Sequence, residues 1–464
     1  MGRIDNRLIK VLSIIKTGTQ LPVIIETIRP PSSSDVQELN SEMTVKRVSK
    51  IANQVYGTAD EDSIKAISSF SFVSTVFYDE PVSRFGTFQF LAPSISISKN
   101  DIHIPISDSS AFVGAADLND KGITGKGIKV AVIDTGVNKY HPLLDGAVKT
   151  QINIVKKYQD ELSDINDGQG HGTHVATTIA GRDLTIYSRL LGKQLRMHGI
   201  APEAEIIGIK VLDDEGSGQT SWVIEGMEAA VEAGADVINM SLGSMFDAGG
   251  LTPDSKVVDE IVFKHNILCA IAAGNSFSNL SIGSPGGSHG AITVGSNAMR
   301  LPSPGIVSTF SSKGTTTDGR VKPDVSAPGG NLVNVKETIY AGTSGALAEE
   351  AGEPYIGIMG TSMATPAVAG CLALLLQSGM KRDRYFAEDL IGNTTRFNHF
   401  KDIYTGYGMI DVKKAYDYLI SNKRLIPLSA ASRIIDIPLR PLATLIPQSE
   451  ESVENKKVRL PYMR

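Results

Sequence analysis

The chain has 464 residues, of which 41% are hydrophobic and 20% charged, so it is long enough for one large globular domain with smaller pieces attached. Its formal net charge of −5, without a basic stripe, gives no electrostatic reason to expect a nucleic-acid partner. The apolar run from Val11 to Ile15 is too short for a secretory signal. The apolar segment Ala367–Leu376 is too short and too interrupted to span a membrane. We therefore expect a cytoplasmic protein without a membrane partner, unless a signal segment has been removed. Cys269 and Cys371 lie in apolar runs, which is typical of buried core residues.

Residues 1–100 differ in pattern from the rest of the chain and predict a small α+β domain. Leu21–Ile28 and Phe70–Tyr78 have the composition of strands, and residues 34–54 show helical spacing of apolar side chains. Residues 79–110 are rich in proline and serine, which indicates an extended connector.

From about residue 125, buried-type strands alternate with helical segments. The strand runs are almost continuously apolar: Ile128–Ile133, Ile206–Leu212, Val237–Met240, Ile267–Ile271 and Ala291–Val294. Helices are predicted near 171–181, 219–233 and 254–265. This alternation predicts an α/β architecture, a twisted parallel sheet flanked by helices on both faces. Sites in such sheets form beyond the carboxyl ends of the strands.

Polar side chains stand at several of these strand ends and helix starts. Asp134 follows one buried strand and Asn275 follows another, although each residue type also suits an ordinary turn. His171 begins a helix and is followed by His174. A His pair at this spacing can bind a metal, but no third ligand stands at a familiar zinc spacing, so we expect no metal site. A general base is the other use of a histidine at a helix start.

Ser362 lies in the turn Gly360–Pro366, directly before the apolar helical segment Ala367–Leu376. A serine at such a position is commonly only a helix cap. However, the positive end of a buried helix also favours developing negative charge. A serine becomes a nucleophile when a base takes its proton, and a carboxylate orients that base. Asp134, His171 and Ser362 supply these groups in that order, and Asn275 offers a neutral oxyanion donor.

These segments resemble the subtilisin family of serine proteases, whose triad has the order Asp, His, Ser. The resemblance covers roughly residues 108–422, which would form a subtilisin-like three-layer catalytic domain. It implies a serine endopeptidase in which Ser362 attacks the peptide carbonyl, His171 carries the proton and Asp134 orients His171. Asn275 and the backbone N–H of Ser362 would bind the oxyanion. The matching stretches are Val132–Gly136, His171–Ala176, Ala272–Asn275 and Gly360–Pro366.

The same resemblance implies how polypeptide substrates are held. An extended peptide would pair with two backbone segments, a mode that demands little of the substrate's sequence. Small residues would line the pocket for the side chain before the cut, so we expect a preference for a large hydrophobic residue there. The backbone segments are Gly216, Ser217 and Gly218 on one side and Ser241, Leu242 and Gly243 on the other. The pocket residues are Ala272, Gly274 and Gly283.

The N-terminal hundred residues resemble the family's propeptide in position, size and α+β pattern. The resemblance implies a zymogen whose N-terminal domain assists folding and blocks the cleft until the protease cuts itself within residues 80–110. The alternative is an accessory domain that is never removed. The C-terminal residues 425–464 predict an extended strap followed by a disordered tail.

The chain departs from the family in two regions. Residues 182–196 are basic and amphipathic where many members have a calcium loop, so we expect no required cofactor and find no support for calcium there. A long insert, Gly329–Gly360, precedes the nucleophile turn and is expected to shape the cleft. It contains a second Gly-Thr-Ser at Gly342–Ser344, which lacks a following buried helix. The acidic loop with Asp160, Glu161, Asp164 and Asp167 suits a cation or, more simply, a solvated surface.

Two other functions remain compatible with this sequence. A non-catalytic scaffold on the same fold would be favoured by loss of a triad residue, and all three are present. An acyl transferase or esterase would use the same acyl-enzyme with a different acceptor.

Overall fold

The structure is a computed structural model that describes residues 2–84, 101–155, 166–244, 249–300, 302–332, 336–396 and 400–421. The predicted C-terminal strap and tail at 425–464 lie outside these residues. Part of the predicted connector and most of the acidic loop also lie outside them. Within the described ranges, no helix combines the length and apolar character that crossing a bilayer requires.

The N-terminal part forms a five-stranded sheet in the order β1-β5-β2-β4-β3, with helices packed on one face. Leu8, Leu39 and Ile64 contribute one side chain from each helix to this core, and all three are fully buried. The elements are β1 (Arg3–Ile4), α1 (Asn6–Leu12), β2 (Leu21–Thr27), α2 (Ser33–Glu42), β3 (Thr44–Val48), β4 (Gln54–Ala59), α3 (Glu61–Ile67) and β5 (Val73–Tyr78).

The helix predicted over 34–54 is wrong in its second half. It ends at Glu42, and the next residues form β3, which pairs antiparallel with β4. The β-branched residues Thr44, Val45 and Val48 favour a strand over continued helix, and the neighbouring strand decides between the two. The apolar spacing that suggested one helix is therefore shared between a helix and a strand.

The stretch predicted as an extended connector contains regular elements at both ends. β6 (Pro81–Arg84) leaves the N-terminal sheet, and β7 (Ile102–Pro105) pairs parallel with a later strand. The helices α4 (Ile106–Phe112) and α5 (Ala116–Asn119) follow directly. The prediction of extended chain is therefore wrong from Ile106 onward, where the helix begins just after Pro105.

The remainder contains a seven-stranded sheet in the order β20-β17-β16-β14-β8-β12-β9, in which every neighbouring pair is parallel. Its first elements are β8 (Lys129–Asp134), a 3-10 turn (Pro142–Leu144), β9 (Val148–Asn153), α6 (His171–Ala180), β10 (Leu184–Ser188), β11 (Lys193–Met197), β12 (Glu205–Lys210), β13 (Ser217–Gln219), α7 (Thr220–Glu232), β14 (Val237–Met240), β15 (Leu242–Gly243), α8 (Pro253–His265), β16 (Leu268–Ala272) and β17 (Ile292–Asn297). The later elements are β18 (Gly314–Thr315), β19 (Val321–Lys322), β20 (Val325–Pro328), β21 (Asn331–Leu332), β22 (Lys336–Gly342), α9 (Gly345–Ala351), β23 (Tyr355–Ile358), α10 (Thr361–Gln377), α11 (Arg384–Gly392) and α12 (Val412–Ile420).

Both faces of the parallel sheet are buried. Along β8, Val130 and Val132 join the core formed with α6 and α10, whereas Ala131 and Ile133 join the core formed with α7 and α8. Successive side chains of a strand point to opposite faces, so a strand covered on both sides is apolar throughout. The predicted three-layer α/β fold is confirmed.

The second face of the N-terminal sheet packs against helices α7 and α8. Ile24 and Tyr56 belong to the same buried cluster as residues of α7 and α8. The insert contains regular structure, in which β22 pairs with β7, β21 and β23. The basic segment 182–196 forms the antiparallel hairpin β10–β11.

Candidate active site

Asp134 and His171 form a buried acid–base pair at the carboxyl end of the parallel sheet. Asp134 is the last residue of β8, and His171 is the first residue of α6. The Nδ1 of His171 donates to Oδ1 of Asp134 at 2.7 Å, and both side chains are inaccessible to solvent. This bond assigns the proton of a neutral imidazole to Nδ1, so that Nε2 carries the lone pair. Nε2 is buried and has no hydrogen-bond partner among the described residues.

Ser362 is the second residue of the buried helix α10. Its Oγ donates to the carbonyl of Ser241 at 3.0 Å, and Oγ of Ser241 donates back to the carbonyl of Ser362 at 3.1 Å. Ser241 follows β14, which is the parallel neighbour of β8. The turn that carries Ser362 therefore lies at the same carboxyl end of the sheet as Asp134. The single proton of the Ser362 hydroxyl is thus directed to the Ser241 carbonyl and not to Nε2 of His171.

Asn275 lies beyond the end of β16 and is oriented by Thr361, the residue before Ser362. Its Oδ1 accepts hydrogen bonds from the backbone N–H and the Oγ1 of Thr361, both at 2.9 Å. These two bonds fix the amide plane and direct its nitrogen away from Thr361. The arrangement therefore presents a neutral N–H donor beside the turn that carries Ser362. No orienting role was predicted for Thr361, because its partner Asn275 lies 86 residues away in the sequence.

Asp167 joins the strand end to the start of the His171 helix. One carboxylate oxygen accepts from Thr135 Oγ1 at 2.8 Å and from the Gly170 N–H at 2.7 Å. The other accepts from the N–H and the Oγ1 of Thr173, both at 2.7 Å. Because these bonds occupy both oxygens, Asp167 is a buried structural anchor and not part of a solvated acidic surface. The sequence placed it in the acidic loop, whose other three members lie outside the described residues.

His174 contacts the insert strand β22. Its Nε2 donates to the Ile339 carbonyl at 3.0 Å, and full burial lowers its pKa to about 3, so the ring is neutral. No group of three potential metal-ligating side chains occurs within the described ranges. His174 instead ties the helix that carries His171 to the insert strand β22.

The two backbone segments predicted to hold substrate flank a strand of the N-terminal part. β6 lies between β13 and β15 in a three-stranded antiparallel sheet. Ser83 pairs with Ser217 on one side and with Gly243 on the other. Gly218 pairs with Val82, Leu242 pairs with Arg84, and the Arg84 N–H donates to the Gly216 carbonyl at 3.2 Å.

The predicted pocket residues lie together beyond β16. Ala272 ends this strand, and the Gly283 N–H donates to the Ala273 carbonyl at 3.0 Å. Gly274 has a φ of +107°, and a Cβ on it would approach Oγ of Ser312 to 2.9 Å, so only glycine fits there without rearrangement. The predicted pocket residues are therefore all small, two of them glycines and one an alanine.

The second Gly-Thr-Ser motif plays a supporting part. Ser344 is buried, and its Oγ donates to the Asp167 carbonyl at 2.8 Å. The helix that follows, α9, has seven residues, of which Leu347 is buried, whereas the helix after Ser362 is buried almost throughout. Ser344 therefore holds the turn before His171.

Comparison with known proteins identifies the family of the chain. Residues 125–408 match the model of the subtilase family, Peptidase_S8. The chain is 33% identical over 410 residues to subtilisin E of Bacillus subtilis, with 86% of this chain and 91% of that protein covered. It is 34% identical over 291 residues to the serine protease AprX of the same organism, covering 60% of this chain and 63% of the relative.

A solved structure supports the fold. Fervidolysin from Fervidobacterium pennivorans, described as a keratinolytic enzyme related to subtilisin, matches with a TM-score of 0.64 at 24% identity, covering 87% of this chain and 62% of that one. The family match spans more than half of the chain and includes all three triad positions. This protein therefore belongs to the subtilase family and is a subtilisin-like serine protease.

Proposed function

We propose that this protein is an endopeptidase that cleaves peptide bonds through an acyl-enzyme on Ser362. His171 takes the serine proton at Nε2 and later gives it to the leaving amine, while Asp134 holds the imidazole in the required tautomer. Asn275 and the Ser362 N–H stabilise the oxyanion. One observation carries this proposal: the solvent-inaccessible hydrogen bond of 2.7 Å between Nδ1 of His171 and Oδ1 of Asp134. It lies at the carboxyl end of the parallel sheet, where Ser362 also lies.

The proposed reaction requires the Ser362 hydroxyl to turn from the Ser241 carbonyl to Nε2 of His171. Such bonds are often unformed without substrate and tighten in the complex. We further propose that an extended polypeptide pairs with β13 and β15, and that the small residues Ala272, Gly274 and Gly283 admit a large hydrophobic side chain before the cut. The small size of these pocket residues supports this preference.

We also propose that the N-terminal domain inhibits the enzyme and is removed by self-cleavage. β6 fills the place between β13 and β15 that a substrate strand would need, which supports inhibition. In the sequence, Arg84 is followed by Phe85, a large apolar residue of the type proposed for the pocket. The bond after Phe85 is therefore the first candidate for the cut.

A fluorophosphonate probe tests the nucleophile, because it labels only an activated serine. We expect the processed wild type and Ser344→Ala to be labelled and Ser362→Ala to remain unlabelled. Ser344→Ala is the matched control, since it removes the hydroxyl of the other Gly-Thr-Ser motif. Failure of the wild type to react would favour a non-catalytic protein.

Two further measurements complete the test. Sequencing the N-termini of wild type and Ser362→Ala, purified in parallel, should show a cut only in the wild type. An uncut but active wild type would indicate a permanent accessory domain. Incubating peptide with a competing amine separates hydrolysis from acyl transfer, and hydrolysed product as the main species supports the peptidase.

A further inference from the structure

The four residues that precede His171, Asp167–Gly170, form a turn that the insert holds along its whole length. Each of the four backbone carbonyls of this turn accepts a hydrogen bond from the insert segment Thr343–Leu347. The bonds run from Oγ of Ser344 to the Asp167 carbonyl (2.8 Å), from the Ala346 N–H to the Gly168 carbonyl (2.9 Å), from the Leu347 N–H to the Gln169 carbonyl (3.1 Å) and from Oγ1 of Thr343 to the Gly170 carbonyl (3.0 Å). The insert therefore binds the turn residue by residue.

The turn and the insert segment are also in direct backbone contact. Gly345 has a φ of +50°, and a Cβ on it would lie 1.9 Å from the carbonyl oxygen of Gly168. A Cβ on Gly170 would lie 2.3 Å from the carbonyl oxygen of Ser344. Neither glycine can gain a side chain unless the two segments move apart. The turn consequently has no room to shift toward the insert.

The turn determines where helix α6 begins, and with it the place of His171. Oε1 of Gln169 accepts from the His171 N–H at 2.9 Å, so the turn contacts the catalytic residue directly. The imidazole must keep Nδ1 on Asp134 while Nε2 takes the proton of Ser362. Proton transfer depends steeply on the distance and alignment of the reacting groups. A small displacement of the turn would therefore be felt in the reaction.

The hydroxyl of Thr343 makes a contact that the helix does not need for its own hydrogen bonding. The Gly170 carbonyl already accepts the first helical bond, from the His174 N–H at 3.1 Å. A carbonyl oxygen can accept two hydrogen bonds, and Thr343 supplies the second. Removing this hydroxyl leaves the Gly170 carbonyl with a partner, so we expect the chain to fold without it. Thr343 is therefore the residue with which to test a positioning role.

We propose that the segment Thr343–Leu347 of the insert positions the catalytic histidine, by fixing the turn from which the helix of His171 begins. The inference rests on the proposed peptidase function, in which His171 is the base, and gives the insert a part in catalysis. Loss of one hydroxyl slows the reaction without abolishing it, because three of the four bonds to the turn remain. The loss falls on kcat and not on KM, since the segment lies outside the backbone strands that pair with substrate.

The experiment compares Thr343→Val, which removes the hydroxyl at nearly constant volume, with Thr343→Ser, which keeps it. With an internally quenched peptide and active enzyme, we expect kcat of Thr343→Val to fall about three- to tenfold, as for one lost hydrogen bond, with KM unchanged. Thr343→Ser should recover most of kcat. The rate of labelling by a fluorophosphonate should fall by the same factor in Thr343→Val, because this reaction needs His171 but no peptide-binding strand.

Thr338→Val is the matched control for this substitution. Thr338 is buried in β22 of the same insert, but its Oγ1 contacts Nδ1 of His103 at 2.9 Å and not the turn before His171. It should retain full kcat even if its melting temperature falls. Wild-type kcat in Thr343→Val, no recovery in Thr343→Ser, or an equal loss in Thr338→Val would overturn this inference alone. A wild type that neither cleaves peptide nor reacts with the fluorophosphonate would overturn the peptidase function as well.

Discussion

At the residue scale, hydrogen bonds of a few side chains fix the distance between Asp134 and His171. These side chains are Thr135, Asp167 and Thr173. Thr135 follows Asp134 directly, and its Oγ1 accepts from the Gly172 N–H at 2.9 Å while donating to Asp167. Asp167 in turn accepts from the helix start at Gly170 and Thr173. A carboxylate can accept at all four positions, which no neutral side chain can do. Asp167 therefore positions the catalytic pair through hydrogen bonds to both elements that carry it.

We predict that Asp167→Asn lowers kcat about 10- to 100-fold with little change in KM. The amide group presents a donor where the carboxylate accepts, so at least one buried N–H or O–H loses its partner, at a cost of about 1–3 kcal/mol. Steady-state kinetics on a quenched peptide measures this. Asp145→Asn, the same change at an exposed position, should behave as wild type. A variant altered mainly in KM would contradict the positioning role.

The positions of Asp134, His171, Ser362 and Asn275 could be predicted because each lies at or just beyond the end of a buried strand or in the first turn of a helix. The sequence pattern carries that information locally. The parts played by Asp167 and Thr361 could not be predicted, because their roles depend on partners brought together by folding. The Ser241 carbonyl that accepts from Ser362 gives no sequence signal at all, since every residue has a carbonyl.

At the scale of elements, Glu353 of the insert holds the turn of the hairpin β10–β11. Its Oε1 accepts from Oγ of Ser188 at 2.9 Å and from the hydroxyl of Tyr340 at 2.5 Å, and its Oε2 accepts from the Arg189 N–H at 2.6 Å. Burial alone would raise the pKa of Glu353, but hydrogen bonds from Tyr340, Arg189 and Ser188 outweigh it and lower the pKa. A carboxylate of the chain thus organises this turn.

We predict that Glu353→Gln lowers the free energy of unfolding by about 1–3 kcal/mol, because charged hydrogen bonds to a buried turn are weakened. Because Glu353 of the insert supplies the contacts that hold this turn, we expect removal of metal ions with EDTA to leave the melting temperature of the wild type unchanged. Both are measured by thermal unfolding in a Ser362→Ala background, which prevents self-digestion. Glu349→Gln is the exposed control. A marked EDTA-induced drop would show that a metal ion stabilises the fold.

A second element-scale contact links the N-terminal domain to helix α7. The residue before this helix, Gln219, makes no side-chain capping bond. Instead, Oδ1 of Asp79 accepts from the Ser221 N–H at 2.8 Å, and the Glu80 carbonyl accepts from the Thr220 N–H at 2.9 Å. The first turn of a helix has unpaired N–H donors, so the N-terminal domain supplies a cap that the catalytic part lacks.

We predict that Asp79→Ala lowers the unfolding free energy of the Ser362→Ala chain by about 1 kcal/mol, as expected for loss of a helix cap. Denaturant titration followed by circular dichroism measures the change. Glu38→Ala removes an exposed carboxylate from α2 and should have almost no effect. If the two variants were equally stable, the cap would contribute nothing to joining the domains.

Elements were predictable where one local pattern extended over their whole length. The parallel strands β8, β12, β14, β16 and β17 and the helices α6, α7 and α8 were predicted to within one or two residues at most ends. The two outermost strands of the sheet, β9 and β20, were not predicted. The helix at 34–54 was not, since its apolar spacing continued into a strand set by pairing with β4. The strand β6 was hidden in a proline- and serine-rich stretch, because its partners β13 and β15 lie more than a hundred residues away.

At the scale of the whole molecule, a cluster of five charged residues, four of them buried and Lys401 half-buried, joins the outer strand of the parallel sheet to the C-terminal elements. Asp324 contacts Nζ of Lys322 at 2.7 Å and Nζ of Lys401 at 2.8 Å. Arg384 contacts Glu388 at 2.9 Å. The cluster spans eighty residues of sequence, so charge pattern alone could not reveal it.

The pKa directions in this cluster set the sign of its pH dependence. Burial alone would raise the pKa of Asp324 and of Glu388, but the charges of Lys322, Lys401 and Arg384 outweigh it and lower both. Burial lowers the pKa of Lys322 to about 8, so holding this amine in its charged form costs the folded state free energy below pH 8. This cost is opposite in sign to the stabilisation by the two carboxylates. The two carboxylates therefore stabilise the fold above their unfolded pKa values of about 4, and that stability is lost as the pH falls.

We predict that Glu388→Gln lowers the unfolding free energy by about 3–5 kcal/mol at pH 7, because Arg384 and Lys401 then lose a buried partner. The difference from the parent should shrink as the pH falls below about 4, where Glu388 becomes protonated in the parent's unfolded state and then in its folded state. Denaturant titrations from pH 7 to pH 3.5 on Ser362→Ala chains measure this difference, with the exposed Glu38→Gln as control. A difference that stayed constant across this range would mean that Glu388 acts through packing and not through its charge. A narrowing difference identifies the cluster as the ionic link that acid breaks between the sheet and the C-terminal elements.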